Sequence, residues 1–578
     1  MSTAIGKRKR VRKACLPCHQ RKRKCDTAYP CGMCTTYGYK CSYTGGNKNH
    51  TKNDDIGPLS PARPVGVEGG GYPESRIIAD STPNSPFYTA LEHQIANPSP
   101  TNTRANNTSA SSSIFDEQKL RCSGASAAMA FPHVLGMALG ADTPPRTRSF
   151  AYNFGIRPEE ESTDHRHLSS LISEKDLISF SEAFFVGLGP VGDVMDQSIY
   201  TQRCRRYYQN PDNSSIALAA IAAGVAALGS FLSPNRYPQE TALVQYAKAI
   251  LDDPASLRYH GIDHIVAWGM RVFYLRATTR PSNAWIASCT QMHLCEALGL
   301  YEEENIKKIA SIQPSVANGY DADRLRRVFW VSWAGHNMLS YEYDRSPVVF
   351  RAVTCGPIFS KPDSIADQFV ALIHIIPSAN SPFHIRNKFS TQTEELFSSC
   401  KALEGFESTH PFLMVTKADI AFCFYRRLYQ LNIRIPDDII NLVIDSGNNA
   451  ITAAEECVRQ GQLLWNVIGS VFQYTCILLA IDTPFALSQI GAAFRGLESL
   501  VKAADTLLTR EALAIARRLF NLSMAKKRRE LSQLEAVEKD LGFEEMSPTP
   551  EANIALPSLD LEIDWDQFLI DPYFSMLG

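Results

Sequence analysis

The sequence predicts a small cysteine-rich module, a disordered linker and a large all-α domain, in that order. Three observations support this organisation. Six of the fifteen cysteines fall within residues 15–41. Residues 44–165 are rich in Gly, Pro, Ser, Thr and Asn and show almost no apolar periodicity, so they cannot offset the entropy of ordering. From residue 166 onward, apolar residues recur at helical spacing. A chain of 578 residues also exceeds the usual length of one domain.

The six clustered cysteines form an internal repeat. Successive cysteines are separated by two, six, five, two and six residues, so each half is a Cys-x-x-Cys pair followed by a third cysteine. Zinc takes four ligands in a tetrahedron, and six thiolates complete two such sites only if two sulfurs are shared. The repeat indicates the first cysteine of each half as the shared one, Cys15 and Cys31. The sequence therefore predicts two Zn²⁺ ions bound by Cys15, Cys18, Cys25, Cys31, Cys34 and Cys41.

A disulfide framework and a redox-active pair are the alternative uses of these cysteines. Disulfides persist in oxidising compartments, whereas residues 1–14 are basic, lack an apolar run and do not resemble a signal peptide. A redox motif needs only one Cys-x-x-Cys, and here two recur in the same frame. Metal binding is therefore favoured. The nine remaining cysteines lack metal-ligand spacing and are predicted to be reduced core residues.

Positive charge is concentrated in the same part of the chain. Residues 1–50 contain twelve Lys and Arg against one acidic residue, a net charge of +11, whereas the whole chain carries −2. This asymmetry indicates a polyanionic partner. The run Arg-Lys-Arg-Lys at 21–24 lies between two cysteines, so bound metal would position it for phosphates and base edges of double-stranded DNA. The basic arm 1–14, with Arg12 and Lys13, is predicted to contact phosphates and direct import into the nucleus; a solvated charge run is the alternative.

Residues 12–43 resemble the fungal zinc binuclear cluster (Zn₂Cys₆) DNA-binding domain of the galactose-regulator type. The resemblance implies two short helices, each opening with a Cys-x-x-Cys, around two zinc ions. It also implies that basic residues of the first helix read a CGG-like triplet. By position, Lys22 resembles the main base reader, and Arg21 and Lys24 fall where base or phosphate contacts lie.

Three features depart from the family pattern. His19 stands where the family usually has Arg or Lys, which implies a weaker or pH-dependent phosphate contact. Pro30 directly precedes Cys31, where many members have one residue between, so the loop that joins the halves is expected to differ. Many members carry a dimerising coiled coil after the cluster, but residues 44–165 contain no apolar heptads. A homodimer through the linker is not expected, and dimerisation elsewhere is left open.

The all-α domain is predicted over residues 166–545. The uncharged, Ala-rich segment 216–232 is interpreted as a buried helix, although its length approaches that of a membrane span. The string at 187–192 matches GxGxxG, but it follows a helical pattern and contains a proline, which favours a helix end over a dinucleotide site. Residues 283–301 predict an amphipathic helix that ends at Gly299. Its expected core face consists of Trp285, Cys289, Met292 and Cys295.

This part of the chain also resembles the middle homology region of fungal zinc-cluster regulators. The resemblance rests on the AW…M…LGL string within 283–301, the basic-then-aromatic run at 326–330 and the Asp-Arg-Ser-Pro string at 344–347. His336 stands where members often have Asp. The resemblance implies an all-helical regulatory domain that senses a small-molecule effector or inhibits the protein.

Catalytic motifs are missing from the sequence: GxSxG, HExxH and the Walker A string do not occur. The pairs His165/His167 and His260/His264 have metal-compatible spacing, but no partner ligand is identified for either pair, so a solvated or core role is predicted. The protein is therefore predicted not to be an enzyme; an enzyme with a zinc-cluster appendage is the alternative. The basic run 526–529 is predicted to lie on a solvated helix face, with a second import signal as the alternative.

The C-terminal tail, residues 546–578, alternates acidic and hydrophobic residues. Residues 551–578 contain six acids and no Lys or Arg. This composition is typical of a disordered activation domain, in which repulsion between carboxylates keeps aromatic groups available to a coactivator. The predicted anchors are Trp565, Phe568 and Leu569. A docked C-terminal strand is the alternative.

Together these observations predict a Zn₂Cys₆ module and an all-α regulatory domain joined by a disordered linker. The predicted function is that of a nuclear, sequence-specific transcription factor that activates RNA polymerase II genes of metabolism or secondary metabolism. Its expected partners are double-stranded DNA, coactivators and a small-molecule effector, with no membrane. A repressor or scaffold with the same DNA-binding module is the alternative.

Overall fold

The structure is a computed structural model in which two compact units are separated between residues 105 and 106. It describes residues 14–20, 25–26, 28–31, 34–35, 41–42, 113–117, 120–124, 126–146, 160–162, 165–213, 215–254, 261–350, 352–378, 392–462 and 464–541. The first unit contains the six clustered cysteines and helix α1 (Leu16–Gln20). The second unit contains every other helix and strand of the described residues.

The second unit begins with an antiparallel hairpin and continues as a succession of helices. Strand β1 (Ser113–Asp116) pairs with β2 (Arg121–Gly124) so that Ser113 lies opposite Gly124. The helices are α2 (Phe131–Ala138), α3 (Glu174–Gly187), α4 (Gly189–Gly192), α5 (Gln197–Gln209), α6 (Ile216–Leu232), α7 (Glu240–Leu251), α8 (Ile262–Thr278), α9 (Pro281–Leu298), α10 (Glu303–Ser311), α11 (Gln313–Ala317), α12 (Ala322–Glu342), α13 (Ala366–His374), α14 (Gln392–Glu404), α15 (Pro411–Gln430), α16 (Asp437–Arg459), α17 (Trp465–Ile481), α18 (Pro484–Ala503) and α19 (Leu507–Asp540).

The hairpin and α2 lie within the range 44–165, for which the sequence predicts disorder. Phe115 and Leu120 of the hairpin pack against the core of the helical domain. The thiol of Cys122 is buried and accepts a hydrogen bond from the side-chain amide of Asn305 at 3.7 Å. The structure therefore differs from the predicted linker at these residues. The apolar side chains of the hairpin are covered by helices distant in sequence, and local composition does not reveal such coverage.

Helix α6 lies at the centre of the first half of this unit. Thirteen of its seventeen residues are buried, and it packs against α3, α7 and α8. At Gly229 the backbones of α6 and α3 approach so closely that an added Cβ would lie 1.8 Å from the carbonyl oxygen of Phe180. The predicted buried helix is confirmed. In the described part of the chain, no helix combines the length and hydropathy of a membrane span.

The next predicted helix, α9, ends where the sequence indicates. Gly299 adopts a left-handed conformation, with φ of 73°, and its backbone N–H caps the helix. Met292 and Cys295 are fully buried, as predicted, whereas Trp285 and Cys289 are only half-buried. The prediction for these two is wrong because the buried stripe also runs along Ala284, Ala287, Ser288 and Gln291, which places Trp285 and Cys289 at its edge.

Two further expectations are met in the helical domain. Gly187 is the last residue of α3, and Gly189–Gly192 form the single turn α4, so the GxGxxG string is a helix end. The basic run 526–529 lies on the final helix α19, mostly exposed, with the ammonium of Lys527 2.7 Å from a carboxylate oxygen of Asp482. That helix ends at Asp540.

Candidate metal centre

The two halves of the cysteine module share one backbone pattern. The N–H of His19 donates to the carbonyl oxygen of Cys15 at 2.9 Å, and the N–H of Thr35 donates to that of Cys31, also at 2.9 Å. Each Cys-x-x-Cys therefore spans the first turn of a helical segment, where residues three apart lie on the same side. A hydrogen bond from the N–H of Leu16 to the carbonyl oxygen of Ser42 at 2.7 Å joins the start and end of the module.

The six thiol sulfurs converge on one buried cluster. All six cysteines are at most 8% exposed. The Cys15 sulfur lies 3.6 Å from the sulfurs of both Cys31 and Cys34, and the sulfurs of Cys18 and Cys31 lie 3.7 Å apart. The backbone N–H of Cys34 donates to the Cys31 sulfur at 3.4 Å. Such N–H donors stabilise thiolates, which are the form of cysteine that binds metal.

The sulfurs form two groups of four that share two members. Within each group all sulfurs lie within 4.8 Å of one another; the groups are Cys15, Cys18, Cys25 and Cys31, and Cys15, Cys31, Cys34 and Cys41. A tetrahedral zinc site with Zn–S bonds of about 2.3 Å requires sulfurs roughly 3.8 Å apart. A disulfide requires about 2.05 Å, and all fifteen cysteines are free thiols. The donor set therefore fits zinc and not a disulfide knot.

The remaining predicted site residues are only partly covered by the structure. His19 lies on α1 and is exposed, so its imidazole is accessible beside the cysteine cluster. Arg12, Lys13, Arg21, Lys22 and Lys24 lie outside the described residues, as do Trp565, Phe568 and Leu569 of the tail. Their roles remain predictions from the sequence.

His165 and His167, one of the two histidine pairs with metal-compatible spacing, do not belong to a metal-ligand cluster among the residues that the structure describes. There, only the two cysteine groups bring three or more metal-ligand side chains together. The imidazole of His165 lies 3.3 Å from a carboxylate oxygen of Asp253, and that of His167 lies 3.2 Å from one of Asp212. Sequence reasoning missed these acidic partners because they lie far away along the chain. His260 lies outside the described residues.

His336 holds three segments of the helical domain together. Its Nε2 accepts a hydrogen bond from the backbone N–H of Val348 at 2.8 Å, so its Nδ1 carries the proton and donates to Ser288 at 2.8 Å. Burial lowers the pKa of His336 to about 4, which keeps the imidazole neutral. This side chain therefore connects α12 to α9 and to the backbone at Val348. The sequence indicated that position 336 is unusual only through the His that replaces the Asp common in the family.

A buried six-cysteine cluster that fits zinc, followed by a large helical domain, defines the class of fungal zinc-cluster transcription regulators. Residues 13–50 match the model of the fungal Zn(2)-Cys(6) binuclear cluster domain. Over 577 residues the chain is 36% identical to Protein RDR1 of Saccharomyces cerevisiae, covering 99% of this chain and 98% of the relative. The chain therefore belongs to the family of fungal Zn₂Cys₆ transcription factors. Membership implies zinc and DNA binding by the cysteine module, and it indicates no enzymatic family.

Two other relatives bear on function. The chain is 29% identical to Transcription factor kojR of Aspergillus oryzae over 583 residues, covering 98% of this chain and 96% of the relative. It is 24% identical over 300 residues to Probable transcriptional repressor C1348.12 of Schizosaccharomyces pombe, covering 51% of this chain and 62% of the relative. The relatives thus include a protein named as a repressor, and the family alone does not set the direction of regulation.

Proposed function

We propose that the protein is a nuclear, sequence-specific activator of RNA polymerase II genes of metabolism or secondary metabolism. The observation that carries the proposal is the buried pair of four-sulfur groups that share Cys15 and Cys31, found in a chain of the Zn₂Cys₆ family. This arrangement supports a module held by metal, and the family together with the net charge of +11 over residues 1–50 supports a DNA partner.

In this proposal two zinc ions are bound, with Cys15 and Cys31 each bound to both. Cys18 and Cys25 complete one site, and Cys34 and Cys41 the other. Zinc supplies the free energy that orders such a small module, because the ligands do not converge in the unfolded chain. The cysteines in turn fix the start of α1, so the basic residues that follow it are presented as one unit to the duplex.

The basic residues have different roles in DNA binding. Lys22, two residues beyond the described end of α1, donates to guanine O6 and N7 in a CGG-like triplet. Arg21, Lys24 and His19 contact bases or phosphates. Arg12 and Lys13 in the basic arm contact phosphates, which raises affinity without reading sequence.

The helical domain and the acidic tail regulate transcription in this proposal. The helical domain senses a small-molecule effector, and the acidic tail binds a coactivator through Trp565, Phe568 and Leu569. A homodimer would pair two triplets, and it would form outside residues 44–165 because that range lacks apolar heptads.

Repression is the second candidate function, favoured by the similarity to the relative named a probable transcriptional repressor. Genome-wide mapping of the DNA bound by the full chain, combined with transcript levels after gene deletion, tests both proposals. Bound regions enriched in CGG-like triplets, next to genes whose transcripts fall on deletion, support an activator. Rising transcripts would establish a repressor, and bound regions without such triplets would contradict the DNA-reading assignment.

A further inference from the structure

The helical domain surrounds a cavity lined by residues from several helices. Its walls come from α3, α4, α8, α9, α12, α13, α15, α17 and the segment 193–195. Its empty space, including the mouth, is about 1100 Å³. The centres of water molecules can occupy about 90 Å³ of it, several times the 10–15 Å³ or so that one water needs by this measure. Most of the lining is apolar, including Phe184, Val266, Val331 and Phe369. Such a lining suits the body of a small organic molecule.

Charged side chains from three helices meet at one part of this lining. Arg276 of α8 donates through Nη2 to both carboxylate oxygens of Glu342 of α12, at 2.9 and 2.8 Å. These two side chains are only 11% and 10% exposed. Asp419 of α15 is 7% exposed and accepts a hydrogen bond from the hydroxyl of Ser470. Arg276, Glu342 and Asp419 all line the cavity.

The charges in this group do not balance. One guanidinium faces two carboxylates, so one negative charge lacks a cation when both acids are ionised. Burial and the nearby Glu342 raise the pKa of Asp419 to about 8, although Ser470 and Arg276 oppose the shift. A buried carboxyl group avoids ionisation in this way when no second cation is present. A ligand cation would restore the balance and favour the carboxylate.

Aromatic rings in the lining of the same cavity favour the same ligand charge. The ring of Trp465 lies on the cavity wall, and its centroid is 5.5 Å from the guanidinium carbon of Arg276. The rings of Phe273 and Phe412, which also line the cavity, have centroids 6.0 and 6.1 Å from that of Trp465. The negative faces of such rings attract cations, most strongly those of tryptophan.

We propose that this cavity is the effector site and that its ligand is a small apolar molecule with one basic amine. The ammonium group lies against Asp419 and Glu342, and the apolar body extends along the aliphatic and aromatic lining. This inference rests on the proposed function for the existence of an effector, whereas the lining and charges of the cavity carry the site itself. Arg276 stays paired with Glu342, which leaves Asp419 as the main partner of the ligand.

Gly335 provides a way to fill the site. This residue of α12 lines the cavity, and a Cβ added to it would meet no atom within 4 Å. Gly469 of α17 is a matched control: it is also helical and half-buried, an added Cβ again meets nothing within 4 Å, and it does not line the cavity. Leucine has a higher helix propensity than glycine, and this gain is the same at both positions. The two variants therefore differ only in whether the new side chain enters the cavity.

The test uses the zinc-loaded full chain and three probes that share one apolar body: 4-phenylbutylamine, 4-phenylbutanol and 4-phenylbutyrate. Calorimetric titration measures affinity, and thermal unfolding checks that binding stabilises the folded chain. We expect the amine to bind most tightly and the carboxylate most weakly. Asp419→Asn, which keeps the side-chain shape, should weaken amine binding about tenfold or more while changing alcohol binding little. Gly335→Leu should abolish binding of the amine and the alcohol, and Gly469→Leu should leave both unchanged.

Equal affinity for the three probes, or tightest binding of the carboxylate, in the unmodified chain would overturn the proposed ligand class without any variant. Amine binding that persists in Gly335→Leu would overturn the location. DNA binding by the same samples is measured in parallel. If the unmodified chain binds the amine but shows no sequence-specific DNA binding, only the proposed function is contradicted. If it binds DNA specifically but does not bind the amine, only this inference is contradicted.

Discussion

The sulfurs of Cys15 and Cys31 lie 3.6 Å apart, and these two residues are the members common to both four-sulfur groups. Each begins one half of the repeated cysteine frame, and each makes the same hydrogen bond to the residue four positions later. The pair therefore joins the two halves of the module. Loss of either sulfur would remove a ligand from both groups at once, whereas loss of any other cluster sulfur would affect one group.

This asymmetry predicts the stoichiometry of zinc. Native mass spectrometry of the full chain should show two zinc ions. Cys31→Ser should weaken the binding of both zinc ions together, because the shared ligand is lost. Cys18→Ser should leave one zinc ion bound. Cys476→Ser, at a half-buried cysteine outside the cluster, is the control and should retain two. A single ion in the unmodified chain, or equal effects of the two cluster variants, would contradict the shared-sulfur arrangement.

The buried His336 predicts loss of stability in acid. Burial lowers its pKa to about 4 in the folded chain, against about 6.5 when unfolded. Between these values the unfolded chain binds a proton that the folded chain does not, so the folded state loses stability as the pH falls from 6.5 to 4. The full effect is on the order of 3 kcal/mol per histidine. His374, whose pKa burial also lowers to about 4, contributes in the same direction.

Chemical denaturation of the full chain at several pH values between 4 and 7 measures this slope. His336→Gln should flatten it in part, since His374 remains. His167→Gln, at a half-exposed side chain, is the matched control and should keep the slope. If His336→Gln leaves the slope unchanged, the neutral buried imidazole is not the cause of acid sensitivity.

The close contact of α6 with α3 predicts a second stability effect. A Cβ on Gly229 would overlap the carbonyl oxygen of Phe180. Gly229→Ala should therefore force the two helices apart and destabilise the helical domain by about 1–3 kcal/mol, despite the better helix propensity of alanine. Gly469→Ala, where the added methyl meets nothing, should be neutral or stabilising. A neutral Gly229→Ala would show that the helices do not cross this closely.

The acidic tail predicts transferable activation. Residues 546–578, fused to an unrelated DNA-binding domain, should activate a reporter gene. Trp565→Ala combined with Phe568→Ala should abolish activation, because aromatic anchors dominate such interfaces and the acids mainly raise the rate of encounter. Activation that survives the double substitution would assign the effect to charge alone. An expressed, nuclear fusion that does not activate would favour the repressor alternative.

The sequence was sufficient for features that are local in the chain. The cysteine frame predicts the cluster because its members fall within 27 residues, and α6 and Gly299 follow from composition and helix-end chemistry. Contacts between distant segments were not predictable in this way. Cys122 reaches Asn305, and Asp419 comes to lie near Glu342, only after the helices have packed. The same reason explains why Trp285 is only half-buried. The helical pattern is compatible with more than one buried face, and the neighbouring helices determine which face is buried.

The most direct test of the account is DNA binding by the zinc-loaded full chain, measured by fluorescence anisotropy on a duplex with a CGG triplet and on a scrambled duplex. The unmodified chain should prefer the CGG duplex and lose binding after zinc chelation. Lys22→Ala should cost about 1–3 kcal/mol on the CGG duplex and relax the preference. Lys9→Ala, in the basic arm 1–14, should weaken binding to both duplexes equally, with a shallower salt dependence. The same sequence-independent loss in both variants, or a preference that survives chelation, would contradict a metal-held reader of DNA.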